Sequence, residues 1–589
     1  MAGPTLDFRN TNSLWGSVLV ETLFRLGVRH AVVAPGSRSA PLAFALARHP
    51  GIEAIPVLDE RSAAFFALGL AKRSGAPVVL TCTSGTAAAN FLPAVVEAWH
   101  SGVPLVVLTA DRPPELRGCS SPQTIDQQHL YGTHVNLFRE LAVPKATLPA
   151  LRELRRAVVH AVTRALRPAR GPVHLNLPFR DPLPPIPDGS TKSVRGQLKG
   201  GAFFAGVEVS LSPVSARGDL SGLPIGRRIV VVVGPDEPAM SHGDVEVLAT
   251  TAREHGWPIL ADALSGLRGL APHFPGMVAH YDTLLRNRRL ARSLVPDAVL
   301  CVGGWPTSKV LRAWLQEHAP AVWLVSTSAH NRDALQLSAT PVRAHLRQVV
   351  GSLRAPAADT SYRESWLEAE QNAARRLEAA LPRVTKLFEP RAVALLARQL
   401  PPGTAVFFAS SMPVRDAEYF WPANDRGLVP YFNRGANGID GTLSSALGVA
   451  HGGKPAVLLT GDLALLHDSN GFLLRPKFRG SLTIVLINNH GGGIFGHLPV
   501  VDFPEAFEEF FATPQEADFG KLCAAHGVAH TVVRSWTRFA RLVARLPRRG
   551  IRVLEIRTDR TRDAATRKAM FAAVAAGLGT APVSSRRGS

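Results

Sequence analysis

Pro455-Ala456-Val457-Leu458-Leu459-Thr460-Gly461-Asp462, followed by Ser481-Leu482-Thr483-Ile484-Val485-Leu486-Ile487-Asn488-Asn489, decides the fold. Each stretch is an unbroken apolar run that stops at polar residues. Runs of this kind, with helical sequence between them, mark a parallel sheet buried on both faces. Ligands of such sheets sit beyond the carboxyl ends of the strands. Asp462 after one strand and Asn489 after the next can therefore meet at one sheet edge. A carboxylate and a carboxamide oxygen there suit Mg²⁺, which takes few protein ligands and fills its octahedron with phosphate oxygens and water. Mn²⁺ is the alternative occupant. Two polar residues capping adjacent turns would read the same way, so the rest of the chain has to decide.

The same alternation recurs along all 589 residues. HAVVAPG, AIPVLDE, APVVLTCTSG, PLVVLTAD and PVHLNLP read as strands in the first third. RRIVVVVG, WPILAD, DAVLCVGG and AVWLVS follow in the second, and TAVFFASS and RVLEIRTD join the two opening strands in the last. Two breaks divide these groups, one at Pro182-Leu183-Pro184-Pro185-Ile186-Pro187-Asp188-Gly189 and one at Ala355–Ser361. The expectation is α/β: three doubly wound, mostly parallel-sheet domains over 1–185, 186–358 and 359–589. A loop is expected over about 190–222 and disorder in the tail at 584–589.

Composition narrows the function classes. The chain is 46% hydrophobic, enough for sizeable cores, yet no apolar run reaches the ~18–20 residues of a membrane span. The first residues lack a charged-then-apolar leader. Cys82, Cys119, Cys301 and Cys523 form no CxxC pair, which fits a reducing cytoplasm better than a zinc or disulfide framework. The net charge of +20 is spread along the chain without a nucleic-acid motif or an aromatic-basic stripe. Anionic small substrates and an arginine bias explain it more simply.

Four constellations carry chemistry. Glu60 stands in Leu58-Asp59-Glu60-Arg61 at a strand end and helix start, where a carboxylate is either a cap or a catalytic group. Thr83-Ser84-Gly85-Thr86 then turns into a small-residue helix. Asn433-Arg434-Gly435-Ala436-Asn437-Gly438-Ile439-Asp440-Gly441 precedes another helix start, whose free N–H groups suit a diphosphate. Asn489-His490-Gly491-Gly492-Gly493-Ile494-Phe495-Gly496 contains a formal G-x-G-x-x-G, but the upstream Gly461-Asp462-Leu463 couples it to a metal site rather than to a dinucleotide. Arginine is the best carboxylate clamp. Arg38 (in PGSRSAPL, with Ser37), Arg112 (in ADRPPELR, with Gln123 beyond), Arg415 (in SSMPVRD, with Ser411) and Arg434 all follow strands, implying substrates with several carboxylates.

Taken in order, PGSRSAPL, LDER, TSGTAAAN, ADRPPELR, SSMPVRD, NRGANGIDG, GDLALLHD and NNHGGGIF resemble the 2-succinyl-5-enolpyruvyl-6-hydroxy-3-cyclohexene-1-carboxylate synthase family of thiamin diphosphate enzymes, which serves menaquinone biosynthesis. The resemblance covers most of the first and last thirds. In the middle it rests on Lys309 in WPTSKVL. GDL replaces the superfamily's more usual GDG at Gly461-Asp462-Leu463.

The resemblance implies decarboxylation of 2-oxoglutarate and conjugate addition of the remaining unit to isochorismate, with loss of CO₂. It implies that Glu60 activates the cofactor through its aminopyrimidine. Ser411, Arg415 and Arg434 go to the 2-oxoglutarate side, and Ser37, Arg38, Arg112, Gln123 and Lys309 to isochorismate. Thr83, Gly85, Ser411, Gly438, Ile439, Gly461, Leu463, Ile494 and Phe495 are expected around thiamin diphosphate, Ile439 as its apolar support. Asp462, Asn489 and the Gly491 carbonyl would hold Mg²⁺ or Mn²⁺. A homodimer or homotetramer with active sites at the subunit interface is implied as well. Another thiamin diphosphate 2-oxo acid decarboxylase and a non-catalytic metabolite-binding relative are the alternatives.

Overall fold

Three six-stranded sheets organise the chain, and every strand pairing in them is parallel. This computed structural model describes residues 6–208, 216–235, 240–328, 330–353 and 360–579. The expected break at 355–361 falls mostly, and the tail at 584–589 wholly, outside the described residues.

The first sheet contains β1 (His30–Val33), β2 (Glu53–Pro56), β3 (Val78–Cys82), β4 (Leu105–Asp111), β5 (Phe138–Glu140) and β6 (Val173–Pro178), in the order β2-β1-β3-β4-β6-β5. The second contains β7 (Ile229–Val233), β8 (Ile259–Ala261), β9 (Met277–Val278), β10 (Ala298–Val302), β11 (Ala321–Val325) and β12 (Thr340–Val342), in the order β12-β11-β10-β7-β8-β9. The third contains β13 (Ala405–Phe408), β14 (Val429–Phe432), β15 (Ala456–Gly461), β16 (Ser481–Asn488), β17 (Ala529–Val533) and β18 (Gly550–Arg557), in the order β14-β13-β15-β16-β18-β17. In each the chain starts at an inner strand and runs outward both ways, from one strand in from the edge in the first and third sheets and from nearer the middle in the second, the doubly wound pattern. Central strands such as β3, β7, β10 and β16 are buried along their whole length, as covering both faces with helices requires.

Cα packing separates two units, one of residues 1–213, 433–451 and 467–479, the other of 214–432, 452–466 and 480–589. In the first unit the helix Glu60–Ser74 packs on the helix Thr442–Ala450 through glycine. A Cβ on Gly69 would lie 2.1 Å from the Ser445 carbonyl oxygen, and one on Gly448 would lie 2.2 Å from that of Phe66. Only glycine at these two positions lets the backbones approach so closely.

One expectation is corrected here. Part of the stretch read as a loop over 190–222 is helical, with a turn at Lys192–Arg195 and a 3₁₀ segment at Gly196–Phe204. Val194, Leu198, Phe203 and Phe204 bury into the first unit's core, beneath Arg155 and Arg25 guanidinium groups 4.8 and 5.1 Å from the two Phe rings. The apolar residues are too few and too irregularly spaced to show a helical period in the sequence.

Candidate active site

In the first unit, the ends of β1, β3 and β4 gather Ser37, Arg38, Thr83, Gly85, Arg112 and Gln123. Gly36 packs so tightly on Thr83 that a Cβ would lie 2.2 Å from the Thr83 Cβ. The Arg38 N–H donates to Thr83 Oγ1 at 3.3 Å, and its Nη1 donates to the Phe179 carbonyl at 2.9 Å. Arg112 donates to Ser84 Oγ at 2.6 Å and to the Pro122 carbonyl at 2.8 Å. Gln123 donates to the Ser84 carbonyl at 3.0 Å from a left-handed backbone, φ 56°. Burial and then the Arg112 charge hold the Arg38 pKa below its usual value. Arg38 Nε is buried without a partner. Asp181 Oδ2 lies 3.9 Å from Arg38 Nη1, and the two guanidinium groups with a donor to spare are suited to binding an anion.

Glu60 opens its helix beside Asp59, whose carboxylate caps it by accepting from the Ser62 N–H at 2.7 Å. The cap is therefore Asp59, and Glu60 is released from that duty. Its charge reaches the end of β3, where burial first and Glu60 second push the Cys82 thiol well up.

The Arg434–Ile439 loop belongs to the same unit, and a residue not foreseen in the sequence holds it. Buried Glu97 accepts the Gly435 and Ala436 N–H groups at 2.9 and 2.7 Å. Asn437 is left-handed (φ 64°), and Ile439 offers its carbonyl to Thr442 Oγ1 at 2.7 Å. Gly438 lies between them, where any Cβ would meet Asp440 Oδ1 at 2.0 Å.

In the second unit, Gly461 ends β15 and Asp462 starts the next helix. The Asp462 carboxylate accepts the Leu463 and Gly491 N–H groups, both at 2.8 Å. Burial still raises its pKa, a penalty that a bound cation would reverse. Gly491, at φ 128°, passes so close to the chain that a Cβ would lie 2.3 Å from the Ala512 carbonyl oxygen. Asn489 Nδ2 donates to Glu389 Oε1 at 2.5 Å, while Asn489 Oδ1 is buried with no partner. Among the described residues no group of three His, Cys, Asp or Glu could hold a metal. An ion here would rest on one carboxylate, neutral oxygens and a diphosphate, the hard set that Mg²⁺ accepts. The orphaned Asn489 oxygen fits that role.

Ser411, left-handed at φ 74°, starts the helix Met412–Phe420, and its carbonyl accepts from Arg415 Nη1 at 2.7 Å. Burial lowers the Arg415 pKa. Arg415, Lys309 and Ile494 line one cavity of 1750 Å³ with Tyr419 and His497. Nine Arg or Lys and two Asp or Glu line it, so it favours anions. Phe495 does not line this cavity and packs on Phe511 instead, with ring centroids 5.8 Å apart.

The sequence reading missed the buried charges behind this site. Arg567 binds Asp416 at 2.8 and 2.9 Å, Glu389 at 2.9 Å and His497 Nε2 at 2.9 Å. Burial and then the like charge of Glu389 push Asp563 up to about 6. Burial and then Arg567 push His497 down to about 4. Asp416, adjacent to Arg415 in the sequence, was the only available hint of this network.

Family models match this chain along its length: the N-terminal thiamine pyrophosphate-binding domain at 15–130, the middle domain at 224–408 and the C-terminal thiamine pyrophosphate-binding domain at 411–556. The chain is 48% identical to the 2-succinyl-5-enolpyruvyl-6-hydroxy-3-cyclohexene-1-carboxylate synthase of Gloeothece citriformis, over 95% of this chain and 98% of that one. Its counterpart of the same name from Microcystis aeruginosa is 50% identical, over 94% and 98%. The chain belongs to this synthase family. Its cofactor is thiamin diphosphate, and it is an enzyme. A solved structure from Mycobacterium smegmatis, described as a candidate thiamin diphosphate-dependent enzyme, superposes with a TM-score of 0.66 at 16% identity, over 92% of this chain and 99% of that one. That likeness speaks for the fold alone. Among the described residues of this synthase-family chain, no helix is long and apolar enough to cross a membrane.

Proposed function

We propose that this chain joins 2-oxoglutarate to isochorismate with loss of CO₂, yielding 2-succinyl-5-enolpyruvyl-6-hydroxy-3-cyclohexene-1-carboxylate. The observation that carries the reading is the pairing of two cationic sites with family membership. One is the Arg38–Arg112 cluster and the other is the cationic cavity lined by Arg415. Two polycarboxylate substrates need two such sites, whereas a pyruvate-using decarboxylase would need neither.

When bound, thiamin diphosphate supplies the electron sink for decarboxylation. The protein's part is to bind, orient and move protons. Glu60 would hydrogen-bond the aminopyrimidine and set its tautomer. Thr83, Gly85, Gly438, Gly461, Leu463 and Phe495 would pack around the cofactor, with Ile439 as its support and Ile494 beside its reactive ring. Asp462, Asn489 Oδ1 and the Gly491 carbonyl would hold Mg²⁺, or Mn²⁺ in its place. Ser411, Arg415 and Arg434 bind 2-oxoglutarate and its adduct. Ser37, Arg38, Arg112, Gln123 and Lys309 receive isochorismate.

The reading includes three functional domains, 1–185, 186–358 and 359–589, supported by one sheet lying within each range. It also includes a homodimer or homotetramer whose active sites are shared between subunits. A cytoplasmic setting is supported by the cysteines, of which Cys82, Cys301 and Cys523 are buried. Steady-state kinetics of two variants test the substrate assignment. Arg112→Ala should raise KM for isochorismate and Arg415→Ala should raise KM for 2-oxoglutarate, each by about 10- to 100-fold for a lost charge-assisted clamp of ~1.5–3 kcal/mol. The assignment is wrong if both variants affect the same substrate.

A further inference from the structure

The side chain of Asn489, read above as a metal ligand, is symmetric in shape but not in chemistry. Turned one way it offers an oxygen to a cation, and turned the other way it offers an N–H₂ that a cation repels. Something must choose. In the structure the choice is made by Glu389, the first residue of the helix Glu389–Gln399, buried to 3% exposure. Glu389 Oε1 accepts Asn489 Nδ2 at 2.5 Å. An ionised carboxylate only accepts, so the amide nitrogen must face Glu389 and the oxygen must face away. That oxygen is the buried, unpartnered one.

Glu389 is itself fixed. Its other oxygen accepts Arg567 Nη2 at 2.9 Å, and Arg567 is anchored by a two-bond clamp on Asp416. Arg567, 2% exposed, projects from the helix Arg560–Ala576. Arg560 of the same helix donates to the His490 carbonyl at 2.5 Å, one residue from Asn489. The C-terminal helix thus braces both the metal loop and the helix that carries Arg415.

We propose that Glu389 is the positioning residue of the metal site, with Arg567 holding its carboxylate so that Asn489 presents oxygen, and only oxygen, to the cation. This rests on the reading of Asp462, Asn489 and Gly491 as the metal site. Partners behind a metal ligand set its orientation, and their loss typically weakens metal binding about 10- to 100-fold.

The test uses Mn²⁺ as probe, its free concentration followed by electron paramagnetic resonance, with full-length protein and thiamin diphosphate. Glu389→Gln places an N–H₂ in the acceptor position and lets Asn489 turn over. Mn²⁺ binding should weaken by about 10- to 100-fold, while the protein without metal keeps a cooperative melt. The swap E389Q/N489D exchanges donor and acceptor across the same hydrogen bond at constant shape and net charge, and should recover most of the lost affinity. Unchanged Mn²⁺ binding in E389Q overturns the proposal. So does a double variant that binds no better than E389Q. If E389Q does not fold, the double variant decides alone: Mn²⁺ binding near the native level supports the pairing, and failure to fold or to bind overturns it. Native protein that binds no Mn²⁺ beside thiamin diphosphate would overturn the metal-site reading itself.

Discussion

The proposed reaction assigns the proton chemistry to Glu60, and in the structure the cap of its helix is Asp59 instead. Glu60→Gln should leave thiamin diphosphate binding in place and lower kcat by roughly 10²- to 10⁴-fold, the usual worth of a positioned acid-base group. Cofactor titration beside turnover measurements checks this, and loss of binding in parallel with kcat would assign Glu60 a structural part. The candidate site was legible at this scale where its residues sit in contiguous motifs after apolar strands, as Asp462 and Asn489 do. Glu97, Glu389 and Arg567 were not legible. Glu389 acts on Asn489 across 100 positions of sequence, Arg567 on Glu389 across 178 and Glu97 on Gly435 across 338, and each looks like an ordinary helical charge until the chain is folded.

The strands that the sequence hides share one place in the sheets, although β2, also an edge strand, was read. β5, β9, β12, β14 and β17 went unread, and every one is an edge strand. Edge strands have one open side, and β12, β14 and β17 each carry exposed residues, so no continuous apolar run forms. Central strands, covered on both faces, have no such freedom. β6 also contains a pH-sensitive group. His174 is fully buried, accepts or donates at 2.7 Å with Thr109 Oγ1, and packs against the rings of Tyr131 and Phe138. Burial lowers its pKa from 6.5 to about 3. The fold therefore holds the neutral ring and binds fewer protons than the unfolded chain. Stability from this group is whole above pH 6.5 and declines as pH falls toward 3, by up to roughly 1.4 kcal/mol per pH unit. His174→Phe should flatten that decline, so melting temperatures of the two proteins should converge or cross as the solution is acidified below pH 6.5. Parallel curves would mean that His174 does not titrate with unfolding.

The whole molecule is a basic chain of net charge +20, and some of its cationic side chains cluster in the fold. Spread evenly, that charge would speak for nonspecific attraction. Arg38 and Arg112 crowd one sheet edge, and Arg415 lines a cavity with eight other Arg or Lys side chains. In the proposed reaction these two sites would separate a carboligase of two acids from a decarboxylase of one. The most direct test is mass spectrometry of the purified chain with thiamin diphosphate, Mg²⁺ and 2-oxoglutarate, with and without isochorismate. The account predicts one adduct, formed only with both substrates, and one CO₂ released for each adduct. CO₂ without adduct, or no turnover by correctly assembled protein with its cofactor bound, would contradict it.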